Sequence, residues 1–210
     1  RGGELTIVMV DYELDDPGPR RLLLLDEKLD IVATWTPEGG FIRGAFVDRD
    51  RVVYALGSTV GAPMYVSAIA DGEVAWSSEL PAVWDGAAFD PVVVGGDVLY
   101  LAVLDRIFGV DLDTGDLQWE HELETEHLVE APCGVGLALT WAPEEDLTVH
   151  EFGADGKHGI ARLAAPELPR THEQGSISAF DIGPDGTLFI LWRLPALDED
   201  GEDLVMVTAY

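Results

Sequence analysis

The chain has 210 residues, 47% of them apolar, and a mean hydropathy of +0.12, which is enough to bury a substantial core and too much for a disordered segment. Forty Asp and Glu stand against twelve Lys and Arg, a formal charge of −28, and a surface of that sign repels phosphate backbones and anionic lipids, which excludes nucleic acid as a partner. No apolar run approaches the roughly eighteen residues of a membrane helix, which argues against direct membrane insertion.

The first residues, Arg1-Gly2-Gly3-Glu4, include no initiator Met or signal peptide, so targeting information is expected to have been removed or to lie outside this chain. Leu5 to Tyr12, Arg21 to Leu25 and Ile31 to Trp35 read as the last three strands of a four-stranded sheet. A second unit runs from Phe46 to Leu80, with Val52 to Leu56 as its second strand and Ala70-Asp71-Gly72-Glu73 as its final turn. The third is the clearest. Pro91 to Val94 is a short buried run, Gly95-Gly96-Asp97 a tight turn needing positive φ, and Val98 to Val103 the returning strand. Ile107 to Val110, the turn Asp113-Thr114-Gly115-Asp116 and the alternating Leu117 to Leu123 complete it.

The fourth unit uses Leu137 to Trp141, Leu147 to Phe152 and a turn at Asp155-Gly156. The last begins at Ile177, turns at Gly183-Pro184-Asp185-Gly186 and continues through Thr187 to Trp192 and Leu204 to Thr208, stopping at Tyr210 before any fourth strand. Both ends thus show incomplete sheets. Exposed edges invite pairing unless covered, so the missing strands are expected from more sequence, another chain or a closing arrangement.

Trp35, Trp76, Trp119 and Ile160 recur at a spacing of about forty residues, the period of a radial β architecture. The predicted fold is therefore all-β: four-stranded antiparallel blades in about five units, 1–40, 41–82, 83–125, 126–166 and 167–210, the edge ones incomplete. Five such units permit a small closed ring, and a piece of a larger ring is equally consistent with them.

The stretch from Gly109 to Trp119 resembles the quinoprotein-like (PQQ-binding-like) β-propeller repeat, a relative of WD40-type propellers. That family's tryptophan-docking pattern is similar to Ala-x-Asp-x-x-Thr-Gly-x-x-x-Trp, and Gly109, Asp111, Thr114, Gly115 and Trp119 occupy those places, with glycine for alanine. In the preceding copy Ala68 stands at the Asp place and Asp71 at the Thr place, while Gly72 and Trp76 remain. In the following one Gly156 is kept and Ile160 replaces the Trp. The resemblance implies an Asp/Trp lock between blades, built here from Asp111, Thr114, Gly115, Trp119, Gly72, Trp76 and Trp35.

The residues support that role on their own chemistry. Asp111 can accept from turn amides, Thr114 can close the turn, Gly115 can take positive φ, and the Trp119 indole can bury a large area against a neighbouring sheet. These are scaffold roles, and a scaffold by itself specifies no chemistry.

Other constellations have plainer explanations. His121-Glu122 with His127 has the wrong spacing for a zinc helix and falls at a strand end, so a solvated strand and loop is expected. Asp198, Asp200, Glu202 and Asp203 make an acidic loop around Gly201 that is a candidate for calcium, with a solvated hairpin as the alternative. Asp111, Asp113 and Asp116 are expected to serve the turn rather than a metal, and Asp11, Asp15 and Asp16 beside Pro17-Gly18-Pro19 a stiff polar loop. Trp84, Trp141 and Trp192 lie off the docking position and are expected to pack in the core. The single cysteine, Cys133, excludes an internal disulfide and is expected as an inert thiol in an apolar inner strand.

No nucleophile elbow, phosphate loop or His/Cys ligand cluster emerges. The expected function is a non-enzymatic scaffold for protein–protein interaction or assembly, with no cofactor, its partner another protein or other segments of a larger assembly. The resemblance implies the outer-membrane assembly lipoproteins and surface proteins that use such repeats, hence an extracytoplasmic place, and the charge suggests adaptation to salt. The alternative is a ligand-binding or quinone- and calcium-dependent oxidoreductase domain, also implied by the resemblance. The short chain and lone cysteine disfavour it.

Overall fold

A computed structural model of the chain describes residues 6–10, 21–37, 41–47, 52–58, 61–83, 92–125, 127–131, 134–141, 146–166, 176–196 and 203–210. Eighteen strands fall there, β1 (Thr6–Val10), β2 (Arg21–Leu25), β3 (Ile31–Trp35), β4 (Phe41–Val47), β5 (Val53–Ser58), β6 (Pro63–Ala70), β7 (Glu73–Val83), β8 (Val92–Gly95) and β9 (Val98–Val103) making up the first half. The second half holds β10 (Arg106–Asp111), β11 (Leu117–Glu122), β12 (Leu128–Glu130), β13 (Gly136–Thr140), β14 (Leu147–Phe152), β15 (His158–Leu163), β16 (Ser176–Ile182), β17 (Leu188–Leu194) and β18 (Leu204–Ala209). Every sheet pairs strands consecutive in sequence: β1-β2-β3, β4-β5-β6-β7, β8-β9-β10-β11, β12-β13-β14-β15 and β16-β17-β18.

The order of burial within a sheet follows from side-chain character. All six residues of β5 and all six of β9 are buried, so these strands are covered on both faces, and the run Val98-Leu99-Tyr100-Leu101-Ala102-Val103 is accordingly apolar without alternation. The fourth strands β7, β11 and β15 are mostly exposed. They carry the alternating polar residues and Gly/Asp turns that sequence periodicity detects best.

The chain divides into two compact units, Arg1–Val92 with Val110–Gln118, and Val93–Gly109 with Trp119–Tyr210. In the first, Leu22, Leu24 and Trp35 pack on Ile42, Val53, Ala55 and Ile69, so the β1–β3 and β4–β7 sheets meet face to face. In the second, Leu137, Leu139 and Leu147 pack on Phe180, Leu188, Ile190, Trp192 and Leu194, and Tyr100, Ala102 and Ile107 pack on Leu128, Ala138 and Phe152. At about 25 cal/mol per Å² of apolar area removed from water, such side chains contribute about 1.5–3 kcal/mol each.

One local reading needs correction. Placing Ala68 by an ungapped alignment sets it at the Asp place, but Ala68 pairs with Trp76 across β6 and β7. The reason is turn length: Asp71 and Gly72 both take positive φ (52° and 83°), a two-residue turn of the I′ kind that fits the strand twist. The corresponding turn between Asp111 and Asp116 has four residues, and the shorter one has no counterpart to Asp111. Cys133 lies outside the described residues together with Trp84, Asp11, Asp15 and Asp16. Between β12 and β13, Ala131 N–H donates to Val135 O and Gly134 N–H donates to Ala131 O, with φ of 76° at Gly134.

Candidate functional site

The recurring motif forms a two-point clasp. Trp76 on β7 donates its indole N–H to Leu112 O at 2.8 Å, and its six-membered ring lies so close to Gly115 that a Cβ there would stand 2.6 Å from it. Two residues on, the Ser78 hydroxyl donates to Gly115 O. Trp119 on β11 repeats this pattern. Its indole donates to Ala154 O at 3.1 Å, its ring covers Gly156, and His121, two residues on, is bonded to Gly156 O at 2.8 Å. A carbonyl only accepts, so His121 Nε2 carries the proton.

Glycine is required at the receiving turn for two reasons. Gly115 and Gly156 have φ of 76° and 75°, a region costly to residues with a Cβ, and the indole occupies the space that a Cβ would fill. Gly109 answers to the other side of the Trp119 ring, where a Cβ would stand 2.1 Å from the indole. The Trp119 side chain thus meets Gly156 at Cγ and Cδ1 and Gly109 at Cε2 and Cζ2, and neither place has room for a Cβ.

The turn that receives Trp76 is built by Asp111. Its Oδ1 accepts from Thr114 N–H at 2.9 Å, Thr114 Oγ1 at 3.0 Å and Asp113 N–H at 3.0 Å. Those bonds, the Thr114 backbone first, hold its carboxyl below the usual carboxylate range. Thr114 Oγ1 in turn accepts from Asp116 N–H. Asp155 and Asp185 do similar work in their own turns, accepting from Lys157 N–H and Thr187 N–H.

Trp35 sits differently. Ala33, not Trp35, lies over Gly72, where an added Cβ would be 2.8 Å from the Ala33 Cβ. Trp35 therefore stands two residues past the docking place, in the position of Ser78 and His121, and it is buried in the core of the first unit. Beside it opens a cleft of about 560 Å³ lined by Trp35, Thr36, Tyr65, Ser67, Val74 and Ser77. Ser67 and Ser77 share a hydroxyl bond of 2.9 Å, and burial pushes the Tyr65 phenol up. Such a lining accepts and donates hydrogen bonds but supplies no group that exchanges a proton near neutrality.

Asp198, Asp200 and Glu202 lie outside the described residues. Asp203 accepts from Arg193 Nη2 at 3.0 Å and Nε at 3.3 Å through one oxygen, and from Ala196 N–H at 3.3 Å through the other. His121 and His127 do not converge: His127 Nε2 donates to Ile177 O at 3.0 Å. Among the described residues no group of three or more His, Cys, Asp or Glu side chains is placed to hold a metal ion. Trp192 is fully buried and donates to Thr208 Oγ1, with Trp141 edge-on to it at 5.1 Å.

Ser78 and His121 are the contributors that sequence reasoning passed over. The signal was present, since each stands two residues after a docking tryptophan on the same strand face. Their side chains share only a donor, not a residue type.

No family model matches the chain, and no curated relative matches it. Among solved structures, BamB from Moraxella catarrhalis is similar with a TM-score of 0.55 and 15% identity, over 96% of this chain and 64% of that one. The Dos1 propeller is similar with a TM-score of 0.50 and 12% identity, over 88% of this chain and 49% of that one. The chain thus spans under two thirds of the first and about half of the second. Identity at that level carries the fold alone, and the fold is an all-β one of antiparallel blades, that of a multi-blade β-propeller.

Proposed function

We propose that this chain is a non-enzymatic β-propeller scaffold of the quinoprotein-like repeat type, one domain of five blade units, used for protein–protein interaction or assembly. The observation that carries this reading is the use made of the reactive side chains at the repeated motif. Asp111 and Thr114 build a turn, Trp76 and Trp119 donate to backbone carbonyls across to the next turn, and Ser78 and His121 close the same clasp. Carboxylate, hydroxyl and imidazole are thereby committed to geometry, and a rigid face is what a docking partner needs at low entropic cost. The charge of −28 supports a salt-rich, extracytoplasmic or surface setting, where screening relieves self-repulsion.

Calorimetric titration with calcium and, separately, with pyrroloquinoline quinone tests this function. The scaffold predicts no stoichiometric heat from the quinone, and a saturable one-to-one heat would replace it with the oxidoreductase reading. Calcium heat abolished by Asp200→Asn and Glu202→Gln would place the ion in the Asp198, Asp200, Glu202 and Asp203 loop without touching the scaffold role.

A further inference from the structure

Three of the chain's five histidines meet on one face. His150 Nδ1 and His158 Nε2 are 2.9 Å apart, and His150 Nε2 is 3.0 Å from Thr140 Oγ1. The His158 ring is stacked on Phe152 at 4.7 Å, and Phe152 on Trp119 at 5.8 Å. The His121 ring touches this column throughout, at 5.2 Å from His158, 5.5 Å from Phe152 and 5.5 Å from Trp119. The column that begins at the Trp119 clasp therefore ends in a histidine pair.

We propose that His121, His150 and His158 form an acid-operated latch, which holds Trp119 and His121 of β11 against the 153–157 turn while the pair is neutral or singly protonated and releases them when the pair takes up a second proton.

The hydrogen bonding enforces this count. A contact of 2.9 Å between two ring nitrogens needs a donor and an acceptor. Neutral imidazoles supply both, and one added proton is tolerated, since a doubly protonated His150 still donates to His158 and to Thr140. With both rings cationic, each nitrogen is a donor and the contact must open. The opening pushes the His158 ring off Phe152, and Phe152 is the surface on which Trp119 stacks.

Among the described residues, few charges nearby favour the cation. His150 is buried, and burial followed by the proximity of His158 lowers its pKa; burial followed by His121 does the same for His158. On β15 the same face carries Arg162, which is like-charged. On β14 and β13 it carries Thr148 and Thr140, while Glu151 points to the other face. On β12 it carries Glu130, three strands away from His158 through Gly136 and Phe152. In the turn, Asp155 is paired with Lys157. On β11, Glu120 and Glu122 alternate to the opposite face, and Glu120 pairs with Arg106 at 3.3 Å. From β9 and β10 come Tyr100, Ala102 and Ile107, all uncharged in this range. Because the folded values lie below the ordinary histidine value near 6.5, the unfolded chain binds more protons as the pH falls past that value, and the latch weakens in that direction.

Hydrogen exchange of the two docking indoles, followed by NMR on the intact chain, tests the latch. Trp76 has Ser78 where Trp119 has His121, so the ratio of Trp119 to Trp76 indole exchange cancels the intrinsic pH dependence. The ratio is expected to rise at least tenfold between pH 7.5 and pH 5 in the wild type. It stays flat in H158Q, and rises as in the wild type in H127Q, which lies outside the cluster. His158→Phe, which keeps the stack on Phe152, gives a second flat variant should H158Q fold poorly. A ratio independent of pH in the wild type, or one that rises equally in H158Q and H158F, overturns the proposal.

Discussion

Replacing Gly156 and Gly186 by alanine, one at a time, separates the two reasons for glycine at a receiving turn. The turns are the same device: Gly153 N–H donates to Lys157 O and Gly156 N–H to Gly153 O, while Gly183 N–H donates to Thr187 O and Gly186 N–H to Gly183 O, all within 2.8–3.0 Å. Their glycines have φ of 75° and 87°, so each alanine meets the same left-handed penalty, about 1–2 kcal/mol. Each also gains about 0.4–1 kcal/mol from a stiffer unfolded chain. Surroundings are where they differ. A Cβ at Gly186 has nothing within 4 Å, whereas at Gly156 it would be 2.8 Å from Trp119 Cγ and 2.9 Å from Cδ1. That contact forces the indole to shift, an overpacking cost of about 1–3 kcal/mol. Gly186→Ala should therefore destabilise by about 1 kcal/mol and Gly156→Ala by about 2–4 kcal/mol. Urea unfolding at matched slopes measures both, and repeating Gly156→Ala on a Trp119→Ala background should remove the excess. Equal losses at the two glycines, or an excess that survives without the indole, refutes the clasp.

Trp76→Phe keeps most of the ring but removes the donor to Leu112 O, so a loss of about 1–2 kcal/mol in urea unfolding is expected, and an unchanged midpoint denies the bond a role. Asp111→Ala bears on pH. Because the Asp111 carboxyl is held low by Thr114 and Asp113, its contribution is present above the usual carboxylate range and disappears as pH falls through its lowered value. Wild type and variant should then converge in stability on acidification to about pH 2, and a gap constant from pH 6 to pH 2 argues against a charged acceptor. The charge of −28 predicts that melting temperature climbs as potassium chloride goes from dilute buffer to molar concentration, where the Debye length shrinks from about 30 Å to about 3 Å. A flat melting temperature over that range counts against salt adaptation.

The fold was legible where local chemistry and tertiary burial agree. Val98 to Val103 is apolar throughout because β9 is covered on both faces, and the Gly/Asp turns at 72, 115, 156 and 186 all take positive φ as their residue types require. The sheets β1–β3 and β16–β18, three-stranded among the described residues, were likewise visible as runs lacking a partner run. Where the reading went astray, a turn length was at fault. Nothing in Ala68-Ile69-Ala70-Asp71-Gly72 states whether the chain reverses over two residues or four, and an ungapped alignment displaces every residue before the turn.

The docking place is harder to read because it is a relation between two strands and not a property of one. A period near forty assigns Trp35, Trp76 and Trp119 to one series, yet strand register is fixed to the residue, and a slip of two leaves a side chain on the same face while moving it a whole place along. β3 makes that slip. Ala33 lies over Gly72, with Trp35 in the place that Ser78 and His121 hold elsewhere. Period alone cannot distinguish the two places, since both are apolar-tolerant positions of one strand face. Size can: Ala33 is small enough to sit on Gly72 without a donor, and Trp35 is large enough to reach the core of its own unit. The same argument applies to His121, which by residue type suggested a metal ligand and by position is a clasp. Position in the repeat thus predicts its bond to Gly156 O, made by an imidazole N–H where a serine hydroxyl serves at the equivalent place.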